Sequence, residues 1–176
     1  RYSLTKEMLF LYKRINSILS EIARLFELFA ILCLSLMLIG TAITIILRPF
    51  ELSFYWIWPW TIQLFVWMCF FGFFPIYMNN SDISVKFIIN KLDQQKLLIS
   101  SIFIELIILG VIGLIILELP TIFSSQVGKI DGVITPWGYE LERYTLSLPL
   151  AFSCILIVIN SISKISYNFF KVFKNN

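Results

Sequence analysis

Glu105 is the residue whose type and position in this sequence could most readily do chemistry. It interrupts an otherwise uncharged apolar segment over residues 97–117. In a helix rising 1.5 Å per residue it would lie about 12 Å from the start of that segment, near the centre of a bilayer. An ionisable group at that depth is a functional candidate, because proton- or ion-coupled carriers use such groups. The simpler interpretation, which we favour, is that a neutral or paired Glu105 hydrogen-bonds another helix.

The other polar residues of the apolar segments do not suggest a transport pathway. A pathway through a helix bundle would place several polar groups around one cavity. Only Gln63 and Asn160 join Glu105 inside these segments, together with scattered Ser and Thr. We therefore expect Glu105 to act in packing or assembly.

The chain contains no histidine and three cysteines. The lack of histidine excludes bis-histidine haem ligation, His-based zinc sites, Ser-His-Asp triads and histidine proton relays. Cys33, Cys69 and Cys154 lie in apolar segments without a CxxC spacing, so we predict that they are small buried hydrophobic residues. No enzyme activity, cofactor, metal ion or nucleic-acid partner is predicted.

Aromatic residues open the second apolar segment, where Trp56, Trp58 and Trp60 surround Pro59. Trp residues in this position are typical of an aromatic belt at the headgroup level of a membrane. The alternative is a rigid aromatic face for a partner subunit, because Trp is frequent at the centres of protein interfaces.

The composition predicts the kind of secondary structure in which these residues lie. Apolar residues make up 59% of the 176-residue chain, charged residues 14%, and the mean hydropathy is +0.86. Soluble domains are about 45–50% apolar and about 25% charged, so a soluble enzyme or nucleic-acid module is unlikely to have this composition. Four apolar segments, over residues 28–47, 56–78, 97–117 and 145–163, are long enough to cross a bilayer as helices. The sequence predicts an all-α membrane protein with a single four-span domain over residues 1–176.

The distribution of Lys and Arg predicts the orientation of the chain. The two terminal segments and the loop after the second span hold eleven of the fourteen basic residues. The other side holds only Arg48, Lys129 and Arg143. By the positive-inside rule, both termini are predicted to be cytoplasmic. No cleavable signal peptide is expected, because the first 27 residues mix both charge signs and lack an uninterrupted apolar segment.

Two segments are amphipathic and are predicted to be interfacial helices. Before the first span, apolar residues recur at helical spacing at Ile15, Ile18, Ile22, Leu25, Phe26 and Phe29. After the second span, Val85, Ile88, Ile89 and Leu92 recur in the same way. Periodicity leaves open whether membrane lipid or a partner protein covers them. In the outer loop over residues 118–144, Gly128, Gly132, Pro136 and Gly138 argue against a long regular element.

Arg48 and Phe50 follow the first span, and Trp56, Phe65-Val66-Trp67, Gly72 and the turn Asp82-Ile83-Ser84-Val85-Lys86 come after them. In this order and without a gap, the chain from Arg48 to Lys86 resembles the small membrane subunit of tripartite ATP-independent periplasmic (TRAP) transporters, the DctQ-like family. Trp58 and Pro59 stand where the family has an acidic pair, Asp82 replaces a His, and Lys86 replaces an Asp. No role is carried over to those positions.

The resemblance implies a function and partners. In such systems a periplasmic substrate-binding protein captures a small organic acid, and a large multi-span subunit moves it across the bacterial inner membrane with a sodium gradient. The small subunit is a non-catalytic scaffold and part of the docking surface for the binding protein. We accordingly predict a partner interface, which consists of Arg48, Trp56, Trp60, Trp67, Gly72 and Glu105.

Two other functions remain open on the sequence alone. The first is a self-sufficient oligomeric carrier in which Glu105 is the coupling carboxylate. The second is a membrane anchor or assembly subunit of another complex, for which the lack of histidine argues against bound haem.

Overall fold

The computed structural model of this chain describes residues 2–50, 56–79, 94–135 and 137–175. Within these ranges the main elements are four helices, each long and apolar enough to cross a membrane, which confirms the predicted four spans. The helices are α1 (Tyr2–Leu47), α2 (Ile57–Met78), α3 (Gln94–Ser125) and α4 (Leu148–Asn175). A short 3-10 turn, Arg48–Phe50, follows α1.

The first helix is much longer than the predicted first span. Its 46 residues form one continuous α-helix, about 69 Å long at 1.5 Å per residue. The predicted amphipathic segment over residues 15–29 is therefore part of the same helix as the first span, rather than a separate element before it. The second predicted amphipathic helix, over residues 85–92, lies outside the described residues.

The packed side of α1 mixes small and polar residues with large apolar ones. Most of its buried or half-buried positions recur at alternating spacings of four and three residues. They are Tyr12, Asn16, Leu19, Ala23, Phe26, Ala30, Cys33, Met37, Gly40, Thr44 and Leu47, and Ile22 and Thr41 are also half-buried. This 3.5-residue period is the spacing that keeps one side of a helix against its neighbours over many turns. Small residues there let helix backbones approach closely, as is common in membrane bundles.

The amphipathic pattern identified the packed side of α1 only in part. Ile22 and Phe26 pack against the core, as the pattern suggests. Ile15, Ile18 and Leu25 instead point away from the rest of the chain. The physical reason is that lipid is as apolar as a protein core, so hydrophobicity alone does not separate the two sides of a membrane helix.

The four helices have unequal roles in the bundle. α1 packs mainly along α2, whereas α4 contacts α1, α2 and α3 and occupies the centre. α3 packs chiefly against α4. Their common core consists of Leu19, Ala23, Phe74, Tyr77, Ile112, Cys154 and Ile157. All three cysteines are free, and Cys33 and Cys154 are buried as predicted. The prediction was wrong for Cys69, which lies on an exposed side of α2.

A short β-hairpin connects α3 to α4. Its strands, β1 (Lys129–Ile134) and β2 (Glu140–Glu142), are antiparallel with an irregular register. A 3-10 turn, Arg143–Leu146, leads from β2 towards α4. The strands are short, in keeping with the glycines and prolines of this loop. The sequence reasoning did not predict a hairpin here.

The hairpin is fixed against the beginning of α2. Gly132 has a φ of +83°, and a Cβ atom added there would lie 2.9 Å from Cγ of Pro59. Only a residue without a side chain fits this close approach. The neighbouring Val133 is completely buried. Because β1 follows α3 and contacts α2, it crosses the end of the bundle from one helix towards the other.

Candidate functional site

Glu105 lies on the packed side of α3, which explains why a charged residue can be buried there. The buried positions of this helix are seven residues apart, at Leu98, Glu105, Ile112 and Leu119. Buried apolar residues thus lie one heptad before the carboxylate and one and two heptads after it, and the same packing that buries Leu98 and Ile112 turns Glu105 towards α4. The Glu105 side chain is 8% exposed.

Three side chains from two other helices surround the Glu105 carboxylate. The hydroxyl of Tyr77, in the last turn of α2, donates to Oε2 at 2.7 Å. The hydroxyl of Ser161, in α4, donates to the same oxygen at 2.9 Å. Nζ of Lys164, one turn further along α4, lies 3.2 Å from Oε1. We call these four residues the polar network.

The residues that surround Glu105 in the polar network also contact one another. Lys164 Nζ also lies 4.5 Å from the centre of the Tyr77 ring, within the range of a cation–π interaction. The hydroxyls of Tyr77 and Ser161 are 2.9 Å apart. Each hydroxyl has one proton, so when both donate to the carboxylate neither donates to the other. Both carboxylate oxygens are therefore engaged, and the network joins α2, α3 and α4 by charge-assisted contacts.

The network lies near one end of the bundle. Tyr77 is the penultimate residue of α2 (Ile57–Met78), so the Glu105 carboxylate is level with the end of that helix. α3 runs from Gln94 to Ser125, which leaves eleven residues before Glu105 and twenty after it. The sequence prediction placed Glu105 near the middle of a span because it ended the apolar segment at Leu117. The helix continues beyond that residue, and Glu105 is not central in it.

The two other predicted intramembrane polar residues do not extend the network into a path. Gln63 is near the beginning of α2, where its Nε2 atom lies 3.5 Å from the Thr145 hydroxyl. Asn160 is beside the other end of that helix, with Nδ2 at 3.0 Å from the sulfur of Met78. Both side chains are buried, and their carbonyl oxygens have no hydrogen-bond partner. Fifteen residues of α2, about 22 Å, separate Gln63 from Met78.

The predicted interface residues fall into separate groups. Arg48 is exposed in the 3-10 turn after α1, and Trp56 is exposed just before α2. Trp60 is half-buried in the first turn of α2. The structure places these three at the end of the bundle opposite Glu105.

Trp67 and Gly72 lie further along α2 and differ in their surroundings. The indole N–H of Trp67 donates to the backbone oxygen of Thr145 at 2.9 Å. Its ring is tilted against Phe29 of α1, with the ring centroids 6.4 Å apart. Trp67 thus already joins three parts of this chain. Gly72 has no atom within 4 Å of the point where a Cβ would lie, so its surface is open.

Sequence reasoning identified Glu105 but missed its partners. Lys164 was counted with the carboxyl-terminal segment, whereas the structure places it inside α4 with a side chain that is mostly buried. Ser161 and Lys164 are three residues apart and therefore lie on the same side of a helix. A Ser and a Lys at this spacing, on a helix that faces a buried carboxylate, could have indicated that both residues contact the carboxylate. Within the described part of the chain no group of three or more His, Cys, Asp or Glu could hold a metal ion.

Four apolar helices with a polar network define a multi-pass membrane protein, and comparison with known families identifies it further. Residues 36–170 match the family described as tripartite ATP-independent periplasmic transporters, DctQ component. The chain therefore belongs to this family. The match includes residues 48–86 and confirms the resemblance noted in the sequence. Comparison with curated proteins and with solved structures gave no match.

Family membership establishes the general role and location. The chain is a small membrane subunit of a TRAP transporter, in the inner membrane. At the level of the family, such transporters also contain a large membrane subunit and a periplasmic binding protein. The family is a transporter component, not a known enzyme family.

Proposed function

We propose that this chain is a non-catalytic scaffold subunit of a sodium-driven importer of small organic acids. It packs against the large multi-span subunit, which carries the substrate, and contributes to the surface on which the periplasmic binding protein docks. The observation that carries this proposal is the polar network. Glu105 is held by Tyr77, Ser161 and Lys164, so the only buried acid of the described residues is engaged within the chain.

The distribution of polar groups supports the same proposal. Gln63 and Asn160 are buried at opposite ends of α2, and of the two only Asn160 lies beside the polar network, where it contacts Tyr77. A conduit for a charged solute requires polar groups along its whole length, because an unsolvated charge in the membrane is costly. The large subunit is the better place for such a pathway.

The proposed orientation places both termini in the cytoplasm. Eleven of fourteen basic residues then lie on the cytoplasmic side, in accordance with the positive-inside rule. The β-hairpin and the Trp-rich beginning of α2 lie on the periplasmic side. The exposed residues of the amino-terminal half of α1, such as Ile15 and Ile18, then contact lipid or the large subunit at the cytoplasmic side.

The proposed partner interface consists of Arg48, Trp56, Trp60, Trp67, Gly72 and, less directly, Glu105. The exposed Trp56 and the open surface at Gly72 are the features of α2 that favour it. Aromatic anchors beside a small residue give a partner helix both contact area and close approach. The polar network leaves Glu105 little surface for a partner.

Copurification tests this proposal. The tagged chain is produced together with the large subunit and the binding protein of the same organism, and is extracted in mild detergent. We expect the large subunit to copurify, and we expect Trp56→Ala with Trp60→Ala to reduce its yield several-fold. Leu117→Ala is the matched control, because Leu117 is an exposed apolar residue on α3, far from the proposed interface. Purification of the wild-type chain without a large subunit would overturn the scaffold role.

Glu105 distinguishes the alternative carrier function from the proposed one. If the purified chain alone takes up an organic acid in proteoliposomes, and Glu105→Gln abolishes the uptake, the chain is a self-sufficient carrier. The scaffold role predicts no uptake by the chain alone.

A further inference from the structure

The end of the β-hairpin combines exposure with a complete lack of charge. Trp137 is 83% exposed and Tyr139 is 75% exposed, the former being among the most exposed aromatic side chains of the described residues. The six residues from Ile134 to Tyr139 contain no charged side chain. We call this segment the hairpin tip. The charged residues of the hairpin all lie outside it, and they are Lys129, Asp131, Glu140, Glu142 and Arg143.

Hydrogen bonds join Thr135 to Gly138 and Tyr139 in the hairpin tip. The Thr135 hydroxyl donates to the backbone oxygen of Tyr139 at 2.9 Å and accepts from the Tyr139 N–H at 3.1 Å. The N–H of Gly138 donates to the backbone oxygen of Thr135, and Gly138 has a φ of +81°. At the base, an ion pair of 3.2 Å between Lys129 and Glu140 joins the strands. A closed turn thus presents Trp137 and Tyr139 on a stable support.

The depth of the tip is set by the contact between Gly132 and Pro59. Pro59 is the third residue of α2 (Ile57–Met78), a helix long enough to span the membrane. Trp58, in the same turn, is exposed, and exposed Trp at the end of a spanning helix marks the headgroup region. The hairpin is thus held at the level where hydrocarbon gives way to headgroups. From Gly132 the chain can reach about 17 Å to Trp137, at about 3.3 Å per residue.

We propose that the hairpin tip inserts into the headgroup layer of the membrane, with Trp137 and Tyr139 as its anchors. Indole and phenol rings suit this layer because they combine an apolar ring with one hydrogen-bonding group. The lack of charge in the tip removes the main cost of entering the layer. All the charged residues of the hairpin lie at its base. This distribution favours lipid over a protein partner, because transient protein contacts rely on complementary charges.

The position of the tip is measured with nitroxide labels in the full chain, reconstituted in vesicles of phosphatidylethanolamine and phosphatidylglycerol. Cys69→Ser removes the exposed native thiol, and single cysteines are then introduced by Trp137→Cys or Tyr139→Cys. A nitroxide free in the buffer is the aqueous control. Leu114→Cys, on the exposed side of α3, is the hydrocarbon control. Power saturation compares the accessibility of each label to oxygen and to a water-soluble nickel chelate.

We expect the labels at positions 137 and 139 to give depths between those of the two controls, before any partner is added. Accessibility to the nickel chelate equal to that of the free nitroxide at both positions would overturn the proposal. Protection from the nickel chelate that arises only after the binding protein is added would also overturn it, because the tip would then be a protein-docking element.

A second measurement keeps Trp137 itself in place. Fluorescence quenching by lipids brominated close to the headgroup is compared between the wild-type chain and Trp137→Phe. We expect Trp137→Phe to remove part of the emission that is quenched by lipids brominated close to the headgroup. If the emission lost in Trp137→Phe is the part that aqueous acrylamide quenches, Trp137 faces water, and this result would contradict insertion. Neither measurement requires the large subunit, so the result is independent of the proposed scaffold role.

Discussion

The hydroxyl of Tyr77 donates a 2.7 Å hydrogen bond to the carboxylate of Glu105, and this contact links the last turn of α2 to the packed side of α3. The two residues are 28 positions apart in the chain. With Ser161 and Lys164 of α4, the bond turns an isolated intramembrane acid into the meeting point of three helices. A buried charge of this kind is costly to leave alone, which makes it a sensitive test of the fold.

Glu105→Gln should lower the free energy of unfolding by about 1.5–3 kcal/mol, because it removes the negative charge that lies 3.2 Å from the mostly buried Lys164 ammonium. The double variant Glu105→Gln with Lys164→Met should recover part of this loss, since the buried ammonium is removed together with the carboxylate. Unfolding of the purified chain in one detergent, followed by circular dichroism, measures both. Glu118→Gln is the control, because Glu118 is exposed and should change the value by less than about 0.5 kcal/mol. Equal stability of Glu105→Gln and Glu118→Gln would contradict a buried ion pair.

Tyr77→Phe should cost about 1 kcal/mol of stability, because it removes one hydrogen bond to the carboxylate and leaves the ring in place. Ser161→Ala should have a similar effect. The hydroxyls lie 2.9 Å apart and share one carboxylate oxygen, so the two effects should not add. A double-mutant cycle in the same unfolding assay measures the coupling. Additive effects would mean that the two hydroxyls act independently.

Gly132→Ala should release the hairpin from α2. The new Cβ would lie 2.9 Å from Pro59 and the residue has a φ of +83°, so the backbone has to move. Hydrogen exchange of the Val133 amide should become faster, as the buried strand opens. Gly138→Ala is the matched control, with a similar φ of +81° but no atom within 4 Å of its Cβ. If both variants exchange alike at Val133, the contact with Pro59 does not hold the hairpin.

Ala23→Leu should destabilise the chain by about 1–3 kcal/mol, because it adds volume on the packed side of α1, where Ala23 is part of the core. Leu25→Ala should have little effect in detergent, although it removes a larger apolar group, because Leu25 is exposed. The midpoints of thermal unfolding compare the two variants. A larger loss from Leu25→Ala would mean that the periodic apolar residues form the packed side after all.

Trp67→Phe should reduce the stability of the chain itself by about 1 kcal/mol, because the hydrogen bond to the backbone of Thr145 is lost. Trp58→Phe is the control and should change stability by less than about 0.5 kcal/mol, because Trp58 is 73% exposed. Unfolding assays of the isolated chain separate this internal role from contact with a partner. A loss of stability from Trp58→Phe as large as that from Trp67→Phe would contradict a structural role of the Trp67 hydrogen bond.

The sequence predicted the helices well because length and apolar content suffice to define a spanning segment. It predicted the packed side of α1 poorly: Ile15 and Leu25 follow a helical period, yet they are exposed. In water that period would have marked the core, but beside lipid both sides of the helix can be apolar.

The partners of Glu105 were not predictable from local pattern. Tyr77 and Lys164 are far from it along the chain, and the packing of α4 between the other helices brings them together. The hairpin escaped prediction for a different reason. Its strands are short, and its position depends on a single backbone contact between Gly132 and Pro59.

The order of the network residues along the chain has a consequence for biosynthesis. A chain is made from its amino terminus, so α2 with Tyr77 is complete before Glu105 enters the membrane. The α4 residues Ser161 and Lys164 are made last. During this interval the carboxyl group can receive the Tyr77 hydroxyl but neither of its two α4 partners. Insertion of α4 therefore completes these contacts of Glu105, with the Ser161 hydroxyl on one carboxylate oxygen and the Lys164 ammonium on the other.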